Sequence, residues 1–133
     1  MNRFLEEHKV NQTNNQLTIE VTDAPGSGGA NHRYEITGLD LLRNASYRGF
    51  NSEQETRLVL LFQNGGIRES GVNGVTHEAL LEIVADRLRS FQKGSYACKA
   101  NACALTHIEE AQHWLQQRTL ERMRRRVEGT LGL

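Results

Sequence analysis

Net charge is missing from this chain: sixteen Lys and Arg are balanced by sixteen Asp and Glu over 133 residues, so no global field draws in DNA, RNA or an anionic membrane. Any anion binding must be local. Also missing is any apolar run near the eighteen or so residues of a membrane span, and the opening, Met1 to Asn15, is polar rather than basic and then apolar. A protein that stays in the cytoplasm, with no membrane partner, is expected. Cysteine is scarce. Cys98 and Cys103 point in different directions on a helix and match neither a CxxC redox motif nor a zinc pair, so buried free thiols are expected and no metal. Aromatics make up 6% and proline occurs once, so the core leans on Leu, Ile, Val and Ala and every exposed aromatic gains interest. At this length one domain with a modest core is the default.

What is present reads as an α+β chain: a small antiparallel β-sheet followed by a two-helix C-terminal hairpin. Residues 1–15, rich in Asn, Gln and charge, read as a mobile arm with one helical turn at most. Residues 16–133 then form a single domain, with its sheet region at 16–70 and the hairpin at 76–127. Leu17-Thr18-Ile19-Glu20-Val21 alternates with period two, the mark of a half-buried strand. The turn formers of 23–30 separate it from a second alternating stretch at Tyr34-Glu35-Ile36, giving a hairpin with a long tip. Residues 39–55 read as a variable loop. The apolar run Arg57 to Gln63, stopped by Asn64-Gly65-Gly66, is the candidate central strand. From Thr76, a plausible N-cap, apolar residues recur at three- and four-residue steps, predicting a helix from about His77 to about Gln92. Gly94 suits a left-handed helix end. No Gly or Pro interrupts Ala102 to Arg126, where Leu105, Ile108, Ala111 and Leu115 mark the apolar stripe of a longer second helix.

Most motifs carry ordinary readings. Gly26-Ser27-Gly28-Gly29 lacks the Gly-Lys-Ser/Thr of a phosphate loop and the strand-to-helix turn of a dinucleotide fingerprint, which leaves a flexible hairpin tip. His8, His32, His77, His107 and His113 read as single exposed or half-buried imidazoles; the last two are separated by roughly 240° on one helix and cannot pair on a metal. Glu109 and Glu110 diverge, and no nucleophile–base order stands out. No catalytic residue is expected, nor a cofactor.

The second helix is different. Arg118, Arg122, Arg124, Arg125 and Arg126 make a basic block. Arg118 and Arg122 are an i, i+4 pair whose planar forks can clamp a diphosphate. A solvated helix end, with arginines answering the macrodipole and pairing with Glu121 or Glu128, is the commoner arrangement on spacing alone. Phe91 and Tyr96 offer flat faces on which a purine can stack, and Asn101 an amide for a base edge, although hairpin plugs and a helix-start residue fit equally. Asn101 and Arg118 lie roughly 25 Å apart along one helix. No small ligand touches both within one chain unless two chains lie antiparallel.

Phe62-Gln63-Asn64-Gly65-Gly66-Ile67, Gly71 to Leu80, Asp86-Arg87-Leu88, Tyr96 to Asn101, Ala104-Leu105-Thr106, Glu109-Glu110-Ala111, Trp114-Leu115 and Val127 to Thr130 carry a resemblance. In this order they are similar to the phage-encoded Thoeris anti-defence proteins of the first type, whose helical hairpin is shared with phage proteins that block cyclic-oligonucleotide (CBASS) defence. The likeness covers roughly residues 57–130 and the strand Leu17 to Val21. It implies a non-enzymatic sponge, in the cytoplasm of the infected host, that sequesters cyclic ADP-ribose isomers made by bacterial TIR-domain enzymes without cleaving them. It further implies a homo-oligomer, dimer or hexamer, with the nucleotide between protomers. By motif position Phe91 stacks on the base, Asn101 contacts it, and Arg118 and Arg122 hold the diphosphate. Some members also bind cyclic di- or trinucleotides at separate sites. The chain departs from the family pattern at Lys99-Ala100, where Arg-Glu is usual, and at Gly66, where proline is common. Two other classes stay open: a small nucleic-acid-binding protein using the basic C-terminal helix, and a structural phage protein whose hairpin serves assembly only.

Overall fold

The computed structural model describes residues 2–49 and 56–128, with side chains through Arg125. These gather into two compact units divided between Val75 and Thr76, where the sequence changes period from two to 3.6.

The first unit is a four-stranded antiparallel sheet in the order β1 (Arg3–Leu5), β2 (Thr18–Val21), β3 (Arg33–Thr37), β4 (Arg57–Leu61). Helix α1 (Gln12–Gln16) links β1 to β2 and is capped by Asn11, whose side chain accepts from the Asn14 amide. Register sorts the strands into two faces. Leu5, Ile19, Ile36 and Leu58 form one cross-strand row and Arg3, Val21, Tyr34 and Leu60 the next, so that face is apolar except at Arg3 on the edge. The opposite face carries Glu20, Glu35 and Arg57, with Glu35 ion-paired to Arg33 and Arg57.

Two expectations change here. Arg3–Leu5, placed in an arm, form the edge strand β1, paired Arg3 to Val21 through Leu5 to Ile19. And β4, expected at the centre, is the other edge. An apolar run shows that both faces of a strand are apolar but does not count its neighbours. Leu58, Val59 and Leu61 are in fact exposed.

The β2–β3 hairpin is present with its long connection. At the tip, Gly28 and Gly29 take positive φ, Gly26 N donates to Ala30 O, and the Asp23 carboxylate accepts from the amides of His32 and Arg33. His32, expected exposed or half-buried, is buried, and its Nδ1 has no hydrogen-bond partner. The turn folds over it so closely that a Cβ on Gly26 would lie 3.3 Å from the ring. Of the loop expected at 39–55, residues 39–49 hold a 3-10 turn at Leu41–Arg43 capped by Asp40; residues 50–55 lie outside the described ones.

Beyond β4 the chain doubles back. Phe62 bridges Val75 in parallel, and Gly74 is needed because a Cβ there would sit 2.4 Å from the Phe62 carbonyl carbon. Gln63, Asn64 and Asn73 tie the loop shut: Asn73 N donates to Gln63 Oε1, and Asn73 gives Nδ2 to Asn64 O while accepting from Asn64 N. Helix α2 (Ile67–Ser70) lies inside this loop. At Gly66 φ is −73°, a value proline also holds.

The second unit is the hairpin of α3 (His77–Lys93) and α4 (Lys99–Glu128). Thr76 caps α3, its hydroxyl accepting from Ala79 N at 3.1 Å. Gly94 ends it in extended rather than left-handed backbone, φ −123°. Ala85 is fully buried; Leu105, Ile108, Ala111 and Leu115 of α4 are half-buried. Arg89 pairs with Glu109 and Gln112 with Glu82, so α3 starts roughly level with Arg118 and nearly three turns of α4 run past it. Both cysteines, expected buried, are exposed. Cys98 instead caps α4, its Sγ accepting from the Asn101 amide at 3.4 Å.

Candidate functional site

The predicted site residues fall into two clusters on the hairpin unit. At the hinge, the half-buried Phe91 ring meets the exposed Tyr96 edge-on at 5.2 Å. The Arg87 guanidinium sits 5.4 Å from the Phe91 centroid, a cation–π contact made possible by the i, i+4 spacing. Asn101 donates its Nδ2 to the Tyr96 carbonyl at 3.1 Å, and Gln92 Oε1 accepts from Cys98 N. Phe91 and Asn101 are therefore brought together through Tyr96. The hinge is tied by side chains, leaving the Asn101 Oδ1 without a partner among the described residues. Lys99 and Ala100, the family departures, are exposed in the first turn of α4 beside this cluster.

Arg118 and Arg122 make the second cluster, at the far end of α4. Both are exposed, and neither has an ion-pair or hydrogen-bond partner among the described residues. The pairing with Glu121 that a solvated helix end would use is not formed. Arg124 and Arg125 are exposed as well, while the side chains of Arg126 and Glu128 lie outside the described residues. Because α4 is one continuous helix from Lys99 to Glu128, Asn101 and Arg118 are held about 25 Å apart. The hinge and the arginine pair of one chain cannot meet on one small molecule.

Sequence reasoning missed two participants. Arg87 could have been found from its position one turn before Phe91; Gln92, a cap reaching across the turn, had no sequence signal. The histidines supply no obvious chemistry: His107 is exposed and pairs with Glu110, and His113 packs edge-on against Trp114. Among the described residues no group of three or more His, Cys, Asp or Glu could hold a metal ion. No described helix is long and apolar enough to cross a membrane.

Comparison with known proteins centres on this same region. Residues 55–120 match the model of the Acb2/Tad1 hairpin domain, spanning β4, the closed loop, α3 and most of α4. The chain is also 49% identical over 69 residues to a protein of Bacillus phage SBSphiJ7 named Thoeris anti-defense 1, an alignment covering 52% of this chain and 49% of that relative. The chain thus spans about half the length of the relative it matches. The capped hinge, the unpaired arginines and the loop that closes on Gly74 all lie inside or at the border of that shared segment, and on this ground the chain belongs to the Acb2/Tad1 hairpin-domain family.

Proposed function

We propose that this protein is a phage counter-defence sponge that binds cyclic ADP-ribose type signals of Thoeris TIR-domain enzymes and holds them without cleavage, in pockets shared between protomers of a homo-oligomer. The observation that carries this reading is the unpaired arginine pair on a helix that holds Asn101 about 25 Å away. Two exposed guanidinium forks one turn apart, with no acidic partner among the described residues, are a ready clamp for a diphosphate. The base-contacting residues Phe91 and Asn101 must then come from a second chain lying antiparallel to the first. Burial agrees with association: Val21 and Ala85 are the only fully covered apolar side chains among the described residues, whereas Leu58, Leu61, Val84, Leu120 and Met123 are exposed. The relative's name contributes the anti-Thoeris role. A dimer suffices for such a pocket; a hexamer would add surfaces for cyclic di- or trinucleotides, the CBASS class of signal. The protein works in the cytoplasm of the infected host, where the signals are made.

Native mass spectrometry and calorimetry with cyclic ADP-ribose test this. An oligomer with bound nucleotide is expected, and heating the complex should return the nucleotide intact. Recovery of a hydrolysed product would make the protein an enzyme instead. Arg118→Ala or Arg122→Ala should weaken binding about ten- to a hundredfold, the value of a charge-assisted hydrogen bond, with the oligomer unchanged. Tight, steeply salt-dependent binding of duplex DNA or RNA in place of the nucleotide would favour the nucleic-acid reading.

A further inference from the structure

Trp114 is the single tryptophan of the chain and is 70% exposed. The largest apolar side chain available to a sparsely packed protein is thus left in solvent, and its neighbours on α4 suggest why. Trp114, Arg118 and Arg122 are spaced i, i+4, i+8 and form one row on the helix surface. Leu105, Ile108, Ala111 and Leu115, half-buried residues of α4, mark the stripe that faces α3, and Trp114 lies off its edge, about 100° around the helix from Leu115, so Trp114 is not needed to pack against α3. His113 meets it edge-on at 5.8 Å, which restrains the indole while most of it stays open.

Resting on the reading of Arg118 and Arg122 as a diphosphate clamp, we infer that Trp114 is a base-stacking residue of the same site, taking one face of the purine whose diphosphate those arginines hold. Base and diphosphate are separated by one ribose, and one helical turn, about 5.4 Å, matches that span. Within one chain no other described aromatic on α4 lies so close to the clamp; Phe91 and Asn101 are at the opposite end of the hairpin. In the shared pocket Trp114 lies on the protomer that supplies the arginines, and the hinge of the second protomer covers the other face of the base. Base–aromatic stacking tolerates either ring, so a smaller aromatic preserves it and an aliphatic residue does not.

With one tryptophan, fluorescence reports this position alone. Saturating cyclic ADP-ribose should quench and shift the emission of the wild-type oligomer, whereas inorganic pyrophosphate, which lacks a base, should not. Trp114→Ala should weaken cyclic ADP-ribose binding about tenfold without changing the native mass, and Trp114→Phe should restore most of the affinity. If wild-type protein binds cyclic ADP-ribose but its emission is unmoved and Trp114→Ala binds equally well, the stacking role is overturned and the sponge reading stands. If Trp114→Ala breaks the oligomer, Trp114 is an interface residue and the role is likewise overturned. If the wild-type protein binds no cyclic ADP-ribose in calorimetry, the sponge reading itself falls.

Discussion

The sheet unit and the hairpin unit are built on opposite principles. In residues 2–75 the chain is held by ties between distant positions: Asp23 to two amides of β3, and Gln63, Asn64 and Asn73 to each other across the loop. Glycine appears where a Cβ cannot fit. In the hairpin most hydrogen bonds are internal to each helix, one alanine is fully buried, and a few polar ties cross between helices. The unit with demanding backbone geometry carries none of the candidate binding residues. The unit that makes few demands presents all of them, Phe91 and Asn101 half-buried at the hinge and Arg118 and Arg122 on exposed helix surface, where side chains change without disturbing the fold.

This contrast breaks first, and with the largest effect, at Gly38. Its φ is +91°, and a Cβ there would lie 1.7 Å from the Gln16 carbonyl oxygen, where β3 ends against the exit of α1. Gly38→Ala should cost about 3 kcal/mol or more in urea unfolding. Gly71, also at positive φ but with ψ −173° and nothing within 4 Å of its Cβ position, isolates the conformational part: Gly71→Ala should cost about 1–3 kcal/mol. Equal losses would mean that backbone conformation alone, and not close packing, limits the sheet unit.

The same division decided how much could be read in advance. Helix α3 was legible almost to the residue, because Thr76 and the spacing of Leu80, Leu81 and Leu88 are local signals. The β2–β3 hairpin was legible for the same reason. Strand β1 was not: Arg3-Phe4-Leu5 carries no alternation long enough to register, and its place is fixed by pairing with residues 19–21. The edge position of β4 was hidden too, since adjacency in a sheet is a non-local property. At the candidate site, the i, i+4 spacing of Arg118 and Arg122 and their distance from Asn101 followed from helix geometry alone. The link from Arg87 to Phe91 has the same i, i+4 spacing within α3 and was legible though overlooked, whereas the link from Asn101 to Tyr96 depends on how the turn at 94–98 folds, and the thiol of Cys98 was misjudged because helix capping draws it to the surface.

In the hairpin the corresponding test is Ala85, fully buried on α3. Ala85→Leu forces extra volume into the helix–helix contact and should cost about 1–3 kcal/mol, read as a lowered thermal midpoint of the helical signal. Gln116→Ala, on the exposed surface of α4, should stay within about 0.5 kcal/mol. A neutral Ala85→Leu would show that the hairpin is spaced loosely enough to accept a larger side chain, and would remove the distinction between its packed and its binding faces.

The smallest effect in the sheet unit is electrostatic. Partial burial works against the charge of Asp23, yet the amides of Arg33 and His32, together with the nearby His32 ring, hold its carboxyl below the ordinary 3.8. A carboxyl whose pKa is lower in the folded than in the unfolded chain contributes stability that is present above the unfolded value, near 3.9, and is lost as pH falls through the folded value. Acid titration of unfolding should therefore show stability falling below about pH 4, and Asp23→Asn, which keeps an oxygen acceptor but cannot ionise, should flatten that slope. Because Asp23 belongs to the sheet unit, the change should appear in the unfolding of the β2–β3 hairpin and leave the pH dependence of α3 and α4 as it was. Identical slopes for wild type and Asp23→Asn would show that the amides are satisfied equally by a neutral acceptor, and that the tip is held by its hydrogen bonds and glycines without help from charge.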